Sequence, residues 1–167
     1  STGQAYVLLN STVALTPMFT AGASYTVGTQ PAAVLLGDVD GDGKLDLVGT
    51  SYAAASLSVF PGLGAGVFGT AKTTTTASQP IALLLGDLNK DGKLDAVTTS
   101  FDGKQVSLLT GKGDGTFNGL RNMPVGSMPR ALATADLDAD GKLDLIVANS
   151  GDDVVTIFLG KGDGTFE

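Results

Sequence analysis

The sequence predicts an all-β fold assembled from repeated four-stranded antiparallel units. Three observations carry that expectation. Segments recur with a fixed period of 49 residues. Short apolar runs alternate with turn-forming stretches, and the chain holds 24 glycines among 167 residues. It is 43% hydrophobic and only 16% charged, a composition that a core-forming, turn-rich protein has and a disordered one lacks.

The period comes first, because a missed repeat mis-assigns the whole fold. Three nine-residue segments align without insertion at 38–46, 87–95 and 136–144, each with the pattern D-x-[DN]-x-D-G-x-x-D. Pro31, Pro80 and Pro129 keep the same spacing, as do Phe19, Phe68, Phe117 and Phe166. The segment Gly111 to Phe117 returns residue for residue at Gly160 to Phe166.

Each unit reads as four short strands. The first follows the proline, over 32–36, 81–85 and 131–135. After the acidic loop comes a second, over 45–50, 94–99 and 143–148. A third alternates apolar residues with Ser or Thr, over 57–60, 106–109 and 154–159. A glycine-rich turn then leads to a polar fourth, starting near Phe68 or Phe117 and including Thr73 to Thr76. The first two strands are apolar on both faces (Leu47 beside Val48, Leu145 beside Ile146), which predicts a sheet buried on both sides. The threonine-rich fourth suits an edge. Four-stranded units with buried inner strands and a polar outer edge, at this period, predict the blades of a β-propeller. The expected division is a partial blade over 1–28, carrying outer strands only, and blades over 29–77, 78–126 and 127–167, the last with an incomplete outer strand. That makes about three and a half blades.

The acidic loops carry the chemistry. Eleven of the 17 acidic residues fall within them, in a chain of net charge −7. Calcium takes about 6–8 oxygen ligands at about 2.3–2.6 Å. A tight hairpin loop offers carboxylates at alternate positions, glycine at position 6 for the sharp turn, a backbone carbonyl at position 7 and a closing acid at position 9. The candidate ligands are therefore Asp38, Asp40, Asp42, Lys44 and Asp46; Asp87, Asn89, Asp91, Lys93 and Asp95; and Asp136, Asp138, Asp140, Lys142 and Asp144. The lysines serve through their carbonyls, with side chains in solvent, and the closing aspartate is expected to bind through both oxygens. One Ca2+ per loop gives three per chain and brings the net charge from −7 to −1. Asn89 lowers the charge of the middle loop and, with it, the expected affinity. The alternative is that these are acidic turns held by Asx hydrogen bonds, but carboxylates this dense repel one another without a cation. A helical EF-hand shares the opening pattern, yet needs a bidentate acid at position 12, where Gly49, Thr98 and Val147 stand.

These loops, the Gly-Asp-Gly-Thr-Phe turn and the Phe68-Gly69 pair resemble FG-GAP/VCBS repeats, the blades of integrin-α-type propellers and of many bacterial surface proteins. The resemblance covers almost the whole chain; segments 6–10 and 19–27 resemble only the last two strands of a blade. It implies calcium in the loop between a blade's first and second strands, away from the partner-binding face, and hence a structural metal.

Other candidates carry less. Asp114 and Asp163 sit in Gly-Asp-Gly turns and read as turn chemistry. Lys104, Asp152 and Asp153 read as solvated loop charges, and Tyr6, Tyr25 and Tyr52 as packed aromatics before sugar-binding ones. With no histidine and no cysteine, neither a Ser-His nor a Cys-His arrangement is available, so no enzyme is expected. Acidity disfavours nucleic acid, and no apolar run is long enough for membrane insertion by a helix. The expected role is a non-catalytic module, extracellular or on the cell surface, binding a protein or glycan ligand. The alternative is an accessory propeller of a larger secreted enzyme, or a lyase- or hydrolase-type propeller. Three and a half blades are too few to close a ring, so a homo-oligomer, most simply a dimer, or a piece of a longer chain is expected.

Overall fold

The computed structural model describes residues 3–10 and 19–167. Among these residues there is no helix, and so none long and apolar enough to cross a membrane. Strands β1 (Gln4–Asn10) and β2 (Phe19–Thr26) form an antiparallel hairpin. The side chains of Tyr6 and Phe19 lie outside the described residues.

The first full sheet is ordered β3 (Pro31–Gly37), β4 (Asp46–Ser51), β5 (Ser56–Phe60), β8 (Lys72–Thr75). Between β5 and β8 the chain makes a small hairpin of β6 (Gly62–Gly64) and β7 (Val67–Phe68). The second sheet runs β9 (Pro80–Gly86), β10 (Asp95–Ser100), β11 (Gln105–Gly111), β12 (Phe117–Pro124). The third holds β13 (Pro129–Ala135), β14 (Asp144–Asn149) and β15 (Val154–Phe158), followed by a single bridge between Gly160 and Phe166 where an outer strand begins. All these ladders are antiparallel and, apart from β5 with β8 across the small β6–β7 hairpin, join sequence neighbours, the meander expected of a blade.

The sheets stack face to face, and the side-chain period of two assigns each strand residue to one neighbour or the other. Between the first and second sheets, Val39, Val48, Leu57 and Val59 meet Ala96, Leu109 and Phe117. Between the second and third, the residues 49 positions on from that first set (Leu88, Val97, Val106 and Leu108) meet Leu145, Val147 and Phe166. Before the first sheet, Val27 and Tyr25 pack on Leu47, Phe60 and Phe68, with the Tyr25 ring edge-on to both phenylalanines at 5.7 and 5.3 Å. Tyr25 is therefore a packing residue, its hydroxyl accepting the Phe68 N–H at 3.0 Å.

Two expectations change. The second strands are buried throughout in the first two sheets, but among the first strands β3 is largely exposed, β13 partly so, and only β9 is mostly covered. Among the described residues the middle sheet has a full sheet on both sides, the first has Tyr25 and Val27 over part of its outer side, and the outer side of the third is open. The second strands also begin one residue later than the apolar pattern suggested, at Asp46, Asp95 and Asp144, which pair with Gly37, Gly86 and Ala135. The closing acid of each loop is thus the first residue of a buried strand.

Candidate metal centres

The three acidic loops connect the first and second strands of the three sheets, so strand pairing fixes both ends of each loop. Inside the loops the backbone winds around the first aspartate. Asp38 accepts the N–H groups of Gly41 at 2.8 Å and Asp42 at 3.1 Å through one oxygen, and that of Gly43 at 2.9 Å through the other. Asp87 does the same for Asp91 and Gly92, and Asp136 for Asp140 and Gly141. Position 3 accepts from the N–H of position 5 (Asp40, Asn89, Asp138), and position 5 from that of position 7 (Asp42, Asp91, Asp140). These are successive Asx turns. Position 6 adopts a left-handed backbone in all three loops (Gly43, Gly92 and Gly141, φ 79 to 83°), with open space around the α-carbon at Gly43 and Gly92. Backbone angle, and not crowding, demands glycine there.

Carboxylates at positions 1, 3 and 5 converge in the first loop, whereas in the third the group is formed by positions 1, 3 and 9. Oxygens of Asp38, Asp40 and Asp42 lie within 4.8 Å of one another, and so do oxygens of Asp136, Asp138 and Asp144. In the middle loop the Asn89 amide stands between Asp87 and Asp91, and no comparable group of three acids forms there among the described residues.

Position 9 also makes contacts that the loop pattern does not announce. Asp46, Asp95 and Asp144 are buried. Each carboxylate bridges two backbone segments: one oxygen accepts from the residue at loop position 2 (Val39 at 2.9 Å, Leu88 at 3.0 Å, Leu137 at 2.8 Å), the other from a glycine at or just beyond the end of the third strand (Gly62 at 2.7 Å, Gly111 at 2.9 Å, Gly160 at 2.8 Å). Both oxygens are engaged in holding the blade together, which leaves each with reduced capacity for the bidentate closure expected from the sequence. The partner glycines were not singled out by sequence reasoning, although 62, 111 and 160 keep the 49-residue period. A β-carbon on any of them would lie within 2.3 Å of the carbonyl oxygen of Leu45, Leu94 or Leu143.

Two of the three position-7 lysines keep partly exposed side chains and pair with the acid two residues before. Lys44 Nζ lies 2.6 Å from Asp42 Oδ2, and Lys142 Nζ pairs with Asp140 Oδ2. The ammonium partner holds Asp42 and Asp140 below the usual carboxylate range and raises both lysines. Lys93 makes no ion pair among the described residues. Burial pushes Asp95 above the usual range, against its two backbone N–H bonds, with the charges of Asp91 and Asp87 adding to the rise.

Elsewhere, Asp114 and Asp163 take their places as turn residues: each accepts both the N–H and the hydroxyl of the threonine two residues on, Thr116 and Thr165. Asp152 is more than a solvated charge, since its Oδ2 accepts the Ser127 N–H at 2.6 Å.

The FG-GAP-like repeat model matches this chain three times, at residues 38–98, 88–147 and 136–167. The chain belongs to the FG-GAP-like repeat family. Each match to the FG-GAP-like repeat begins at or just inside an acidic loop. Among solved structures, an Agrocybe aegerita lectin, described by its recognition of non-reducing terminal N-acetylglucosamine, superposes with TM-score 0.58 at 18% identity, over 99% of this chain and 51% of the lectin. TcdB2-TccC3 superposes with TM-score 0.55 at 23% identity, over 87% of this chain and 7% of that one. TcdB2-TccC3 without its hypervariable C-terminal region gives 0.52 at 26%, over 77% and 6%. The FG-GAP-like chain thus spans about half of the lectin and a small part of the others. With its antiparallel blades, it has the β-propeller fold the repeat predicts. No curated protein sequence matches it.

Proposed function

We propose that this chain is a calcium-binding, non-catalytic propeller module that presents its blades to a protein or glycan partner outside the cell. The observation that supports it most is the convergence of three carboxylates within 4.8 Å in the first and third loops. The donor set fits a hard cation: oxygen ligands only, in a chain without histidine or cysteine. Asp38, Asp40 and Asp42 would hold the ion in the first loop, with the Lys44 carbonyl and Asp46 completing it; Asp87, Asn89, Asp91, Lys93 and Asp95, and Asp136, Asp138, Asp140, Lys142 and Asp144, are the corresponding sets. Bound calcium would neutralise the loop carboxylates. The chain's own residues do the rest: the Asx turns pre-shape each loop, and the position-9 aspartate ties it to two strands. The Lys44 and Lys142 ammoniums are counter-ions on the same acids, groups that calcium would release to solvent.

The absence of histidine and cysteine supports a non-catalytic role. So does the engagement of the acids by backbone N–H groups. An extracellular setting suits such loops because extracellular calcium modules work at about 10⁻⁴–10⁻³ M. A second reading is an accessory blade set within a larger protein, favoured by the small share of the TcdB2-TccC3 chains that this one covers.

Calorimetric titration with Ca2+, paired with thermal melts in calcium and in chelator, tests the proposal. Two tight sites and a weaker third in the Asn89 loop are expected, together with a higher melting temperature in calcium. No heat and no shift at millimolar Ca2+ would sink it. Binding to glycan and matrix-protein arrays that disappears in chelator distinguishes a ligand-presenting module from an accessory one.

A further inference from the structure

The second and third blades each set a Gly-Asp-Gly-Thr turn, at 113–116 and 162–165, against the acidic loop of the blade before. The Gly115 N–H donates to the Val39 carbonyl at 3.3 Å, and the Gly164 N–H donates to the Leu88 carbonyl, also at 3.3 Å. Both acceptors stand at loop position 2, and the two contacts are 49 residues apart, so the bond belongs to the repeat. Apolar packing accompanies it: Phe117 shares a buried cluster with Val39, and Phe166 packs against the cluster that holds Leu88. Each turn is closed by its own bonds, the Lys112 N–H to the Thr116 carbonyl and the Lys161 N–H to that of Thr165, with Asp114 and Asp163 holding the threonine hydroxyls.

Covalent geometry ties the acceptor carbonyl to the candidate ligands. A peptide group is planar, so the Val39 carbonyl turns together with the Asp40 N–H, and the Leu88 carbonyl with the Asn89 N–H. In the first loop the Val39 and Asp40 N–H groups both donate to Asp46 Oδ2, at 2.9 and 3.2 Å. The turn also lies directly on position 3. A β-carbon built at Gly115 would stand 3.6 Å from Cβ of Asp40, and one at Gly164 would stand 3.5 Å from Cβ of Asn89. Position 3 is thus both a candidate ligand and the floor on which the next blade's turn rests.

We propose that the first and middle loops, when they hold calcium, clamp the blade that follows. A position-3 side chain drawn onto the ion fixes the peptide between positions 2 and 3, and with it the carbonyl that receives the turn. The inference rests on the calcium reading of the loops and gives it a direction, from each site to the next blade as well as within its own. Coupling of this kind is reciprocal, so a docked turn raises the loop's calcium affinity by the same factor. Because Asn89 brings no charge to the middle loop, the junction between the second and third blades should tighten at higher calcium than the junction between the first and second.

Backbone hydrogen exchange, read residue by residue by NMR across a Ca2+ titration with calorimetry in parallel, tests the clamp. The Gly115 and Gly164 amides belong to a different blade from the acids they report on. Their protection should rise about tenfold beyond any rise in the amides of β10, which follow global stability. Gly164 should respond at the higher calcium concentration. Asp40→Asn and Asn89→Asp exchange residues that the repeat already carries at this position, so each variant should fold as the parent does. The first should move the Gly115 response to about threefold higher calcium and leave Gly164 in place; the second should move the Gly164 response lower and leave Gly115. Calcium heats without protection at either glycine, or with protection no greater than in β10, overturn the clamp and leave the proposed function standing. So does a response that ignores both substitutions or shifts at the wrong glycine. Absence of heat at millimolar Ca2+ sinks the clamp and the calcium reading together.

Discussion

The second and third blades are the same unit in two surroundings. In the second, β10 is buried throughout and β11 nearly so; in the third, β15 lies half open to solvent although its apolar content is no lower. The difference teaches that a blade's core is made by its neighbour: sequence supplies two apolar faces, and stacking decides which of them is buried. Leu108 and Ile157 occupy equivalent positions, and the largest expected effect separates them. Leu108→Ala removes a buried side chain and should cost about 2–5 kcal/mol in urea unfolding, while Ile157→Ala in dilute, monomeric protein should cost well under about 1 kcal/mol. Equal costs would break the comparison.

A second contrast lies inside one loop. Asp95 is buried and accepts the Leu88 and Gly111 N–H groups, whereas Asp91 is exposed and accepts within the turn. In chelator, Asp95→Ala leaves two buried donors without partners and should destabilise by about 2–4 kcal/mol. Asp91→Ala should change chelated stability by less than about 0.5 kcal/mol. Both should weaken calcium binding. If Asp95→Ala is harmless without calcium, the position-9 aspartate is a metal ligand and not a strand tie.

Much of this was legible in the sequence, because the period itself is the fold: strand order, loop position and the convergence of Asp38, Asp40 and Asp42 all follow from spacing. What escaped were features set by contact between distant segments. The role of Asp46 depends on Gly62, 16 residues away, and no local pattern announces that bond. The Lys44–Asp42 pair depends on a rotamer, which spacing leaves free. The exposure of Val34 and Leu36 depends on which faces have neighbours, and an apolar run reads the same whether or not its face is covered.

Thr98 and Val147 offer a sharper version of the blade comparison. Both are fully buried at equivalent positions, but the Thr98 hydroxyl has no hydrogen-bond partner among the described residues. The repeat therefore contains its own control for an unsatisfied buried hydroxyl. Thr98→Val should raise stability by about 1 kcal/mol, read as a higher urea midpoint with an unchanged slope.

The smallest expected effect concerns the turn that enters the third blade. In the first two blades a serine hydroxyl donates to the preceding connection, Ser51 to the Thr29 carbonyl at 2.6 Å and Ser100 to the Ser78 carbonyl at 2.7 Å. At the third, Asn149 replaces that serine, and the Ser127 N–H donates instead to Asp152. That backbone bond lowers the Asp152 carboxyl below its ordinary value. A depressed folded value means the ionised form favours the fold. Its contribution is present above the unfolded value, near 3.9, and is lost as pH falls through that value and then through the folded one. The gap in urea midpoint between the parent and Asp152→Asn isolates the turn: it should be small and constant near neutral pH, and close as the pH drops below about 4. A gap that persists at low pH would assign the Ser127 contact to shape alone, with the charge on Asp152 contributing nothing.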